Sequence, residues 1–404
     1  MGNFAGPMAL KILYISYWSL SDPLTASAIF PYFPLMVEEH GADVVFYTFE
    51  TSRDRLAELP FEMNGVEHRA LHQRKLGSTL ASKVELVLRG RRRLIAEAHS
   101  SKYDLVFAKG SMAGTFAHMV HKATGLPYVV ESYEPHSEYM AECGVWPRGG
   151  MRFRFFAHYE REQIKHAHRI ITVTHNHRND LIAQGMNPAR VSVIPSITDL
   201  RTFAFDPAAR SAKRAELGIA DGLLVGIYVG KFGGLYFDRE AFVLFKQAMD
   251  HFNGMHIIVL SPMDHDHIRV RAAEAGIDLS RFHVTSAQHR DVPAYLSAAD
   301  IAFSPIKPAP VKLYQCPVKN GEYWANGLPI LMTDRVADDH RLLRQGIGGS
   351  VFGPALEDLG EAFRTVGTIL ADPDHRHTLA GLARQYKSLD LARAVYADLF
   401  SPRH

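Results

Sequence analysis

The chain alternates short apolar runs with longer amphipathic stretches. Apolar runs of this kind are typical of buried parallel strands, whereas apolar positions three and four apart predict helices. The first half predicts strands at Leu10 to Ser16, Val44 to Phe49, Asp104 to Ala108, Tyr128 to Glu131, Ile170 to Thr174 and Val191 to Ile194. It predicts helices at Ile29 to His40, Leu80 to His99, Ser111 to Thr124, Gly150 to His168 and Asn179 to Gln184. This alternation predicts βαβ units on a parallel sheet.

The alternation stops between Pro195 and Gly222, a stretch that we interpret as a link, and then starts again. The second half predicts strands at Leu223 to Val229, His256 to Leu260, Phe282 to Thr285, Ile301 to Ser304 and Pro329 to Met332. It predicts helices at Arg239 to Phe252, His265 to Gly276, Val292 to Ala298, Asp338 to Gln345 and throughout the tail from Glu357 to Leu399. We therefore expect an α/β protein with two Rossmann-like, doubly wound domains and a ligand crevice between them.

Composition agrees with two globular domains. The chain has 404 residues, of which 47% are hydrophobic and 22% are charged, and its formal net charge is +2. This charge gives no case for a general nucleic-acid binder. Only Cys143 and Cys316 occur, so a disulfide framework is excluded and a reducing cytoplasm is expected. No apolar run approaches the roughly 18 residues that a membrane-spanning helix needs.

The segment Cys316 to Leu331 carries the clearest candidate chemistry. Lys319 and Glu322 stand three residues apart just behind Pro317, a spacing that suits the first turn of a helix. The helix should end at Asn326-Gly327, where positive φ is easily adopted, and the chain should then re-enter the sheet as a strand. Two charged side chains are thereby predicted at a helix N-terminus, where anions and hydroxyl-rich ligands bind.

A second candidate segment opens the second half. The strand Leu223 to Val229 runs directly into the turn Gly230-Lys231-Phe232-Gly233-Gly234. Glycines at Gly230, Gly233 and Gly234 would let backbone amides approach a phosphate, and Lys231 would add a positive charge. The alternative is a plain glycine-rich turn between a strand and a helix, and the position at the start of a domain favours the phosphate site.

These segments together resemble the donor-binding half of GT-B glycosyltransferases, close to the family-4 type. The resemblance implies that Lys231 and Lys319 hold a diphosphate and that Glu322 holds the ribose. It also implies that backbone groups near Ala287 and Gln288 meet the nucleobase. The family's paired glutamates would place the first glutamate at residue 314, where this chain has Tyr314, so contact with the sugar ring falls to groups of Val311 to Gln315.

The resemblance also assigns residues in the first domain. The family places a histidine beside the donor sugar, after the strand that ends at Glu131, and His136 is our candidate, with Glu134 as its alternative. Tyr133 in the same loop is assigned to the acceptor side. The first strand ends at Tyr17 and Trp18, and Ser27 follows where many relatives have paired glycines. Tyr17, Trp18 and Ser27 are therefore acceptor-side candidates, although Ser27 could instead cap a helix.

The activity implied is retaining transfer of a sugar from a UDP- or GDP-sugar to a saccharide or a lipid-linked saccharide. Bacterial surface polysaccharide or glycoconjugate assembly is the setting by analogy. No cofactor and no metal are expected. The domains would be residues 8–200 for the acceptor and 201–385 for the donor, with a helix in 386–404 returning to the first domain. A sugar-nucleotide 2-epimerase using Glu131, Glu134 and Glu138 and a non-catalytic nucleotide-sugar sensor remain alternatives.

Two basic segments have two interpretations each. One contains Lys83, Arg89 and Arg91 to Arg93, and the other runs from Arg152 to Phe156. Either segment could face anionic lipid or a charged acceptor at the inner face of a membrane, or could be a solvated helix surface. The histidine-rich run Asp264 to His267 imitates a metal site, but such a run in a turn usually faces water. The chain contains no HExxH motif to support a metal.

Overall fold

The structure is a computed structural model that describes residues 10–50, 61–234 and 236–401. The described chain forms two compact units. Unit 1 contains residues 10–194 together with 392–401, and unit 2 contains residues 195–391. In the described residues, no helix is both long enough and apolar enough to cross a lipid bilayer.

Unit 1 is built on a seven-stranded sheet. Its strands are β1 (Lys11–Ser16), β2 (Asp43–Glu50), β3 (Val66–His72), β4 (Leu105–Lys109), β5 (Tyr128–Ser132), β6 (Arg169–Thr172) and β7 (Val191–Val193). The order across the sheet is β3-β2-β1-β4-β5-β6-β7, and all neighbouring strands are parallel. The strand order reverses between β1 and β4, which is where doubly wound sheets bind ligands.

The helices of unit 1 follow the strands in the expected alternation. They are α1 (Pro23–Ala28), α2 (Thr79–Ser100), α3 (Ser111–Thr124), α4 (His136–Glu142), α5 (Met151–His166) and α6 (His175–Ala183). One face of the sheet packs on apolar side chains that include Phe116 and Val120 of α3. The sheet is therefore buried by helices in the manner of a βαβ fold.

Unit 2 repeats this architecture with six parallel strands. They are β8 (Val225–Val229), β9 (His256–Leu260), β10 (Phe282–Thr285), β11 (Ile301–Ser304), β12 (Ile330–Thr333) and β13 (Gly349–Phe352), in the order β10-β9-β8-β11-β12-β13. Its helices are α7 (Pro207–Glu216), α8 (Arg239–His251), α9 (His265–Glu274), α10 (Val292–Ala298), α11 (Val318–Ala325), α12 (His340–Leu343), α13 (Leu359–Ala371) and α14 (His375–Lys387). Ile257 and Val259 lie in one core cluster and Ile258 in another, so both faces of the sheet are covered.

A last helix, α15 (Leu389–Phe400), begins in unit 2 and ends in unit 1. Within unit 1, the Tyr396 ring lies 5.9 Å from the Tyr32 ring and 6.0 Å from the Phe107 ring. Arg393 pairs with Glu39 at 2.8 Å. The C-terminal helix therefore covers part of the aromatic face of the first sheet, and Tyr396 is completely buried there.

The prediction of one α-helix from Ile29 to His40 is wrong. The chain instead forms α1, a 3-10 turn at Phe30–Tyr32 and a π-helical turn at Leu35–Glu39. Pro31 and Pro34 have no N–H to donate, which interrupts the regular hydrogen bonding of an α-helix. Ser27 accordingly lies inside α1, and the residue that caps this helix is Asp22, which accepts from the Leu24 N–H at 2.9 Å.

The remaining differences concern elements with little apolar patterning. The strand β3 was not predicted because Val66–His72 carries mostly polar, partly exposed side chains at the sheet edge. The strand β13 begins with a glycine, and the helix α4 lies in a stretch that looked like a loop. The predicted helical tail consists of three helices, α13, α14 and α15, with short breaks between them.

Candidate functional site

The helix α11 is the element that positions the candidate donor residues of unit 2. It begins after Pro317 and ends at Asn326, and Gly327 follows with φ of +76°, as the sequence predicted. The Tyr323 hydroxyl accepts from the N–H of Val229, the last residue of β8, at 3.1 Å. Trp324 donates from Nε1 to the Gly348 carbonyl at 2.8 Å. The helix is thus fixed to the switch point of the sheet on one side and to β13 on the other.

A network of buried polar side chains fixes the position of α11. Asn320 accepts from the Ser304 hydroxyl at 2.9 Å and donates to the Asp339 carboxylate at 2.9 Å. The Lys387 ammonium donates to the same carboxylate at 2.7 Å and lies 3.3 Å from the Cys316 sulfur. Although burial opposes it, the Asp339 carboxylate raises the pKa of Lys387. The network connects the ends of three elements, so α11 has one well-defined orientation.

Lys319 projects from α11 into an aromatic pocket. Its Nζ is buried and has no hydrogen-bond partner among the described residues. The ammonium lies 4.7 Å from the centre of the Tyr228 ring and 5.4 Å from that of Tyr236. Burial lowers the pKa of Lys319 to about 7, and the Glu322 carboxylate opposes this shift only in part. An anion that arrived at Nζ would supply the partner that this lysine lacks.

Gly230 lies against the same ammonium. A Cβ placed on Gly230 would come 2.9 Å from the Tyr228 hydroxyl and 3.6 Å from Lys319 Nζ. A larger side chain would therefore fill the space in front of the lysine. The structure thus brings together two candidate donor-binding residues, Gly230 and Lys319, that are far apart in the sequence.

Glu322 stands one turn after Lys319, and its side chain is buried. Its Oε1 accepts from His289 Nε2 at 3.2 Å, and the pKa of His289 is raised by this hydrogen bond. His289 itself is 68% exposed at the side chain, so the pair sits at the protein surface with the carboxylate on the inner side. Sequence analysis did not find His289. Its position directly after Gln288, in the loop assigned to the nucleobase, could have identified it.

The glycine-rich turn after β8 has positive φ angles at its glycines. Gly233 and Gly234 have φ of +76° and +61°, values that side chains with a Cβ rarely adopt. The Gly230 N–H donates to the Leu260 carbonyl at 3.0 Å, and the Gly233 N–H donates to the Phe237 carbonyl at 3.1 Å. These two amides are therefore engaged, and a phosphate would have to compete for them. The Lys231 side chain is exposed, while its carbonyl accepts from the Tyr228 hydroxyl.

The other donor-side candidates occupy two loops of unit 2. The loop that is predicted to meet the base contains Ala287 and Gln288. Ala287 packs partly against the core, whereas Gln288 is exposed to solvent. Tyr314 ends the 3-10 turn Pro310–Leu313 and donates its N–H to the Val311 carbonyl at 3.1 Å. The run Asp264 to His267 starts α9, where Asp264 accepts from the His267 N–H at 2.9 Å.

In unit 1, His136 is the first residue of α4. Its Nδ1 lies 3.6 Å from Glu134 Oε1, and both side chains are mostly buried. The imidazole packs edge-on against the Trp146 ring, with centres 5.5 Å apart. The next residue, Ser137, donates its N–H to Glu160 at 3.0 Å. Burial raises the pKa of Glu160, and the hydrogen bonds from Ser137 oppose that rise. The two predicted residues His136 and Glu134 are thus neighbours, and their side chains are mostly buried.

The acceptor-side candidates are partly assembled. The Trp18 and Tyr133 rings stack with centres 5.7 Å apart, and the Tyr17 ring lies 5.2 Å from the Phe49 ring. Ser27 belongs to α1, as described above. Trp18 and Tyr133 follow β1 and β5, so the structure brings together aromatic rings from two strand ends.

A buried ion pair that sequence analysis did not predict lies beneath these rings. Lys109 at the end of β4 pairs with Glu131 of β5, and both side chains are almost completely buried. The Lys109 ammonium lies 4.6 Å from the centre of the Tyr32 ring and 5.4 Å from that of Tyr133. Burial lowers the pKa of Lys109, and Glu131 opposes this shift. Glu131 is therefore paired through Oε1, while its buried Oε2 has no hydrogen-bond partner among the described residues.

Comparisons with known proteins agree with this architecture. Residues 36–196 match the model of a family described as a glycosyl transferase 4-like domain. The structure of HepE from Anabaena in complex with UDP has a TM-score of 0.71 and 14% identity, with 96% of this chain and 99% of that chain covered. No significant match was found among curated protein sequences.

Two further solved structures resemble the whole chain. Sucrose-phosphate synthase from Thermosynechococcus elongatus has a TM-score of 0.71 and 15% identity, with 97% of this chain and 98% of that chain covered. WaaG, a glycosyltransferase involved in lipopolysaccharide biosynthesis, has a TM-score of 0.67 and 19% identity, with 97% and 100% covered. At such identities, the similarity shows a common fold.

Proposed function

We propose that this chain, which has the GT-B fold and carries a glycosyl transferase 4-like domain over residues 36–196, transfers a sugar from a nucleotide diphosphate to a hydroxyl acceptor. The observation that carries the proposal is the pairing of Lys319 and Glu322 on one short helix at the switch point of the second sheet. An unpartnered ammonium and a surface-edge carboxylate one turn apart match the diphosphate and the ribose of one ligand.

The donor in this proposal is a UDP-sugar, with a GDP-sugar as the alternative. HepE was solved with UDP, with UDP-glucose, and with UDP and glucose, at 14–15% identity to this chain. The hydrogen bond between His289 and Glu322 would break when the donor binds, and Glu322 would then accept hydrogen bonds from the ribose hydroxyls. The loop at Ala287 and Gln288 would meet the base, and groups around Tyr314 would meet the sugar.

Leaving-group stabilisation would come from fixed positive charge. As the bond to the sugar breaks, negative charge builds on the diphosphate, and donors already aimed at it lower the barrier most. Lys319 is buried, so its charge would be weakly screened, and the exposed Lys231 would provide a second cation. We propose that this pair replaces a divalent metal and that no cofactor is required.

His136 and Glu134 are proposed to act on the sugar. The imidazole would hold a hydroxyl of the donor sugar, and Glu134 at 3.6 Å would orient the imidazole. We propose retention of configuration. The acceptor would attack from the face that the diphosphate leaves, and the departing phosphate would take the acceptor proton. This route needs no protein nucleophile.

The proposed acceptor is a saccharide, free or lipid-linked. The stacked rings of Trp18 and Tyr133, with Tyr17 close by in the sequence, provide flat apolar surfaces of the kind on which sugar rings pack. Assembly of bacterial surface polysaccharide or glycoconjugate would suit such an acceptor, as WaaG acts in lipopolysaccharide biosynthesis. Cys143 and Cys316 form no disulfide, which fits a reducing cytoplasm. We assign the acceptor to residues 8–200 and the donor to 201–385, and the returning helix of residues 386–404 to α15.

The epimerase alternative would need several available carboxylates, and two of the three candidates are in ion pairs. Glu131 is buried in its pair with Lys109, and Glu138 pairs with Arg148 at 2.6 Å. Of the three carboxylates considered, Glu134 remains next to His136. Incubation with donor alone separates the two activities, because an epimerase needs no acceptor.

The test of the donor site is the substitution Glu322→Gln. We expect UDP affinity to fall at least roughly tenfold, because a charge-assisted hydrogen bond contributes about 1.5–3 kcal/mol. Glu361→Gln, which changes an exposed carboxylate in the same unit, is the matched control and should bind UDP normally. Calorimetry with UDP makes the measurement. Unchanged affinity in Glu322→Gln would show that the ribose does not bind at Glu322 of α11.

A further inference from the structure

Two helices of unit 1 carry exposed basic residues. α2 and α5 both pack against α3. The Arg91 guanidinium of α2 is close enough to Tyr159 of α5 to oppose the rise in the tyrosine pKa that burial causes. We call the outward surface of α2 and α5 the basic face.

The exposed side of α5 has a helical repeat of basic and apolar residues. Met151, Arg154, Phe155, His158 and Arg161 are all exposed, and each lies three or four residues from another member of the set, which places them on one side of the helix. Met151 is 80% exposed and Phe155 36%. These residues border a shallow groove of about 560 Å³.

The exposed side of α2 has the same character. Lys83 and the run Arg91 to Arg93 point outward, and between them Val84 and Leu88 are 49% and 52% exposed. Apolar side chains of this size are normally buried when they have neighbours to pack on. Both helices therefore combine outward cations with outward apolar groups.

The carboxylates of the same helices are paired with nearby groups or buried. Glu85 pairs with Arg89 at 2.6 Å, and Glu97 is buried against the Tyr47 hydroxyl. Glu160 accepts from Ser137 inside the unit, and Glu162 pairs with Lys165 at 3.1 Å. The exposed arginines and lysines of the two helices are Lys83, Arg91, Arg92, Arg93, Arg152, Arg154, Arg161 and Lys165, of which Lys165 pairs with Glu162. In a chain of net charge +2, this is a strong separation of charge.

We infer that the basic face docks unit 1 onto an anionic lipid bilayer. Cations near such a surface each add to the attraction, and apolar side chains between them can enter the boundary between headgroups and acyl chains. A nucleic acid would be attracted by the same cations but would gain nothing from Met151 or Leu88. The mixture of charge and exposed apolar groups therefore favours lipid over a polyanion.

The test is sedimentation of the intact protein with vesicles. Vesicles of phosphatidylcholine with about one quarter phosphatidylglycerol should bind it, whereas pure phosphatidylcholine should not. Raising the salt concentration from about 50 to about 500 mM should release it, because screening weakens the attraction. The triple substitution Arg91→Gln, Arg92→Gln and Arg154→Gln should lower binding about a hundredfold, since three favourable charges are removed.

Two further variants separate the contributions. Met151→Ser with Phe155→Ser should weaken binding and should leave its dependence on salt unchanged, because only the apolar contribution is lost. The control is Arg201→Gln, Arg335→Gln and Arg384→Gln, three exposed arginines of unit 2, and it should bind like the native protein. Circular dichroism of each variant checks the fold.

Three results would overturn the inference. Equal binding to neutral and anionic vesicles would exclude an electrostatic surface, and equal losses in the basic-face and control triples would exclude this location. Binding to a DNA duplex with no binding to vesicles would assign the face to a polyanion. The assay contains neither donor nor acceptor, so its outcome is independent of the proposed transferase activity.

Discussion

The ionisation of Lys319 makes nucleotide binding depend on pH in a predictable direction. The lysine is buried without a hydrogen-bond partner, and its pKa is about 7 instead of 10.5. If the diphosphate of a donor occupies the space beside Nζ, it stabilises the charged form and raises this pKa again. Binding must then be accompanied by uptake of a proton whenever the pH exceeds about 7.

The size of the effect follows from these pKa values. At pH 7 about half of the free protein has a charged Lys319, and at pH 9 only about one molecule in a hundred does. UDP affinity should therefore fall roughly fiftyfold between pH 7 and pH 9. Phosphate oxygens themselves titrate near pH 6, so the series should begin at pH 7.

Protein stability should change in the opposite direction over the same range. Between about 7 and 10.5 the unfolded chain binds a proton at Lys319 that the folded chain does not. The free energy of unfolding contributed by this group therefore rises with pH, by several kcal/mol at most. General unfolding at high pH would reduce affinity and stability together. Falling affinity with rising stability therefore indicates that the titrating group is Lys319.

Calorimetry with UDP in buffers of different ionisation enthalpy measures both affinity and proton uptake. Lys319→Arg should make affinity nearly independent of pH, because a guanidinium stays charged. Lys319→Met should bind UDP weakly at every pH. Constant affinity of the native protein between pH 7 and pH 9, with no proton uptake, would show that the diphosphate does not meet Lys319.

Two further predictions concern turnover. His136→Ala should lower the transfer rate about a hundredfold and leave UDP affinity unchanged, since His136 belongs to unit 1 and the diphosphate groups belong to unit 2. His99→Ala, an exposed histidine of unit 1, is the control, and an inactive Glu134→Ala beside an active His136→Ala would reverse the two roles. Transfer should also survive exhaustive EDTA treatment, because Lys231 and Lys319 supply the charge. Activity lost with EDTA and restored by magnesium would refute this mechanism.

The sequence predicted the parts of the fold that depend on buried, contiguous apolar residues. Strands such as Leu105–Lys109 and Ile301–Ser304 are fully buried, and apart from a polar last residue their sequences are continuous apolar runs. The helix of Lys319 and its end at Gly327 were likewise predicted, because proline before a helix and glycine after it reflect local backbone preferences.

The sequence was less informative where tertiary contacts decide the conformation. The edge strand Val66–His72 forms because it pairs with β2, and its half-exposed side chains leave no apolar run. The π-helical turn at Leu35–Glu39 follows two prolines whose effect on the exact hydrogen-bond pattern depends on packing. Similarly, His289 reaches Glu322 across 33 positions, a contact that only the folded chain creates.

The chemical state of the site residues was the least predictable property. Lys231 and Lys319 have the same charge in the sequence, yet the Lys231 side chain is exposed, whereas Nζ of Lys319 is buried beside two tyrosine rings. Burial lowers the pKa of Lys319 to about 7. The rings beside its ammonium belong to Tyr228 and Tyr236, which lie far from it in the sequence. A motif names the residue that can carry a charge, but the environment decides when it carries one. Two lysines assigned to one diphosphate are therefore expected to respond differently to pH, and replacing Lys231 should lower affinity without altering the pH profile that Lys319 imposes.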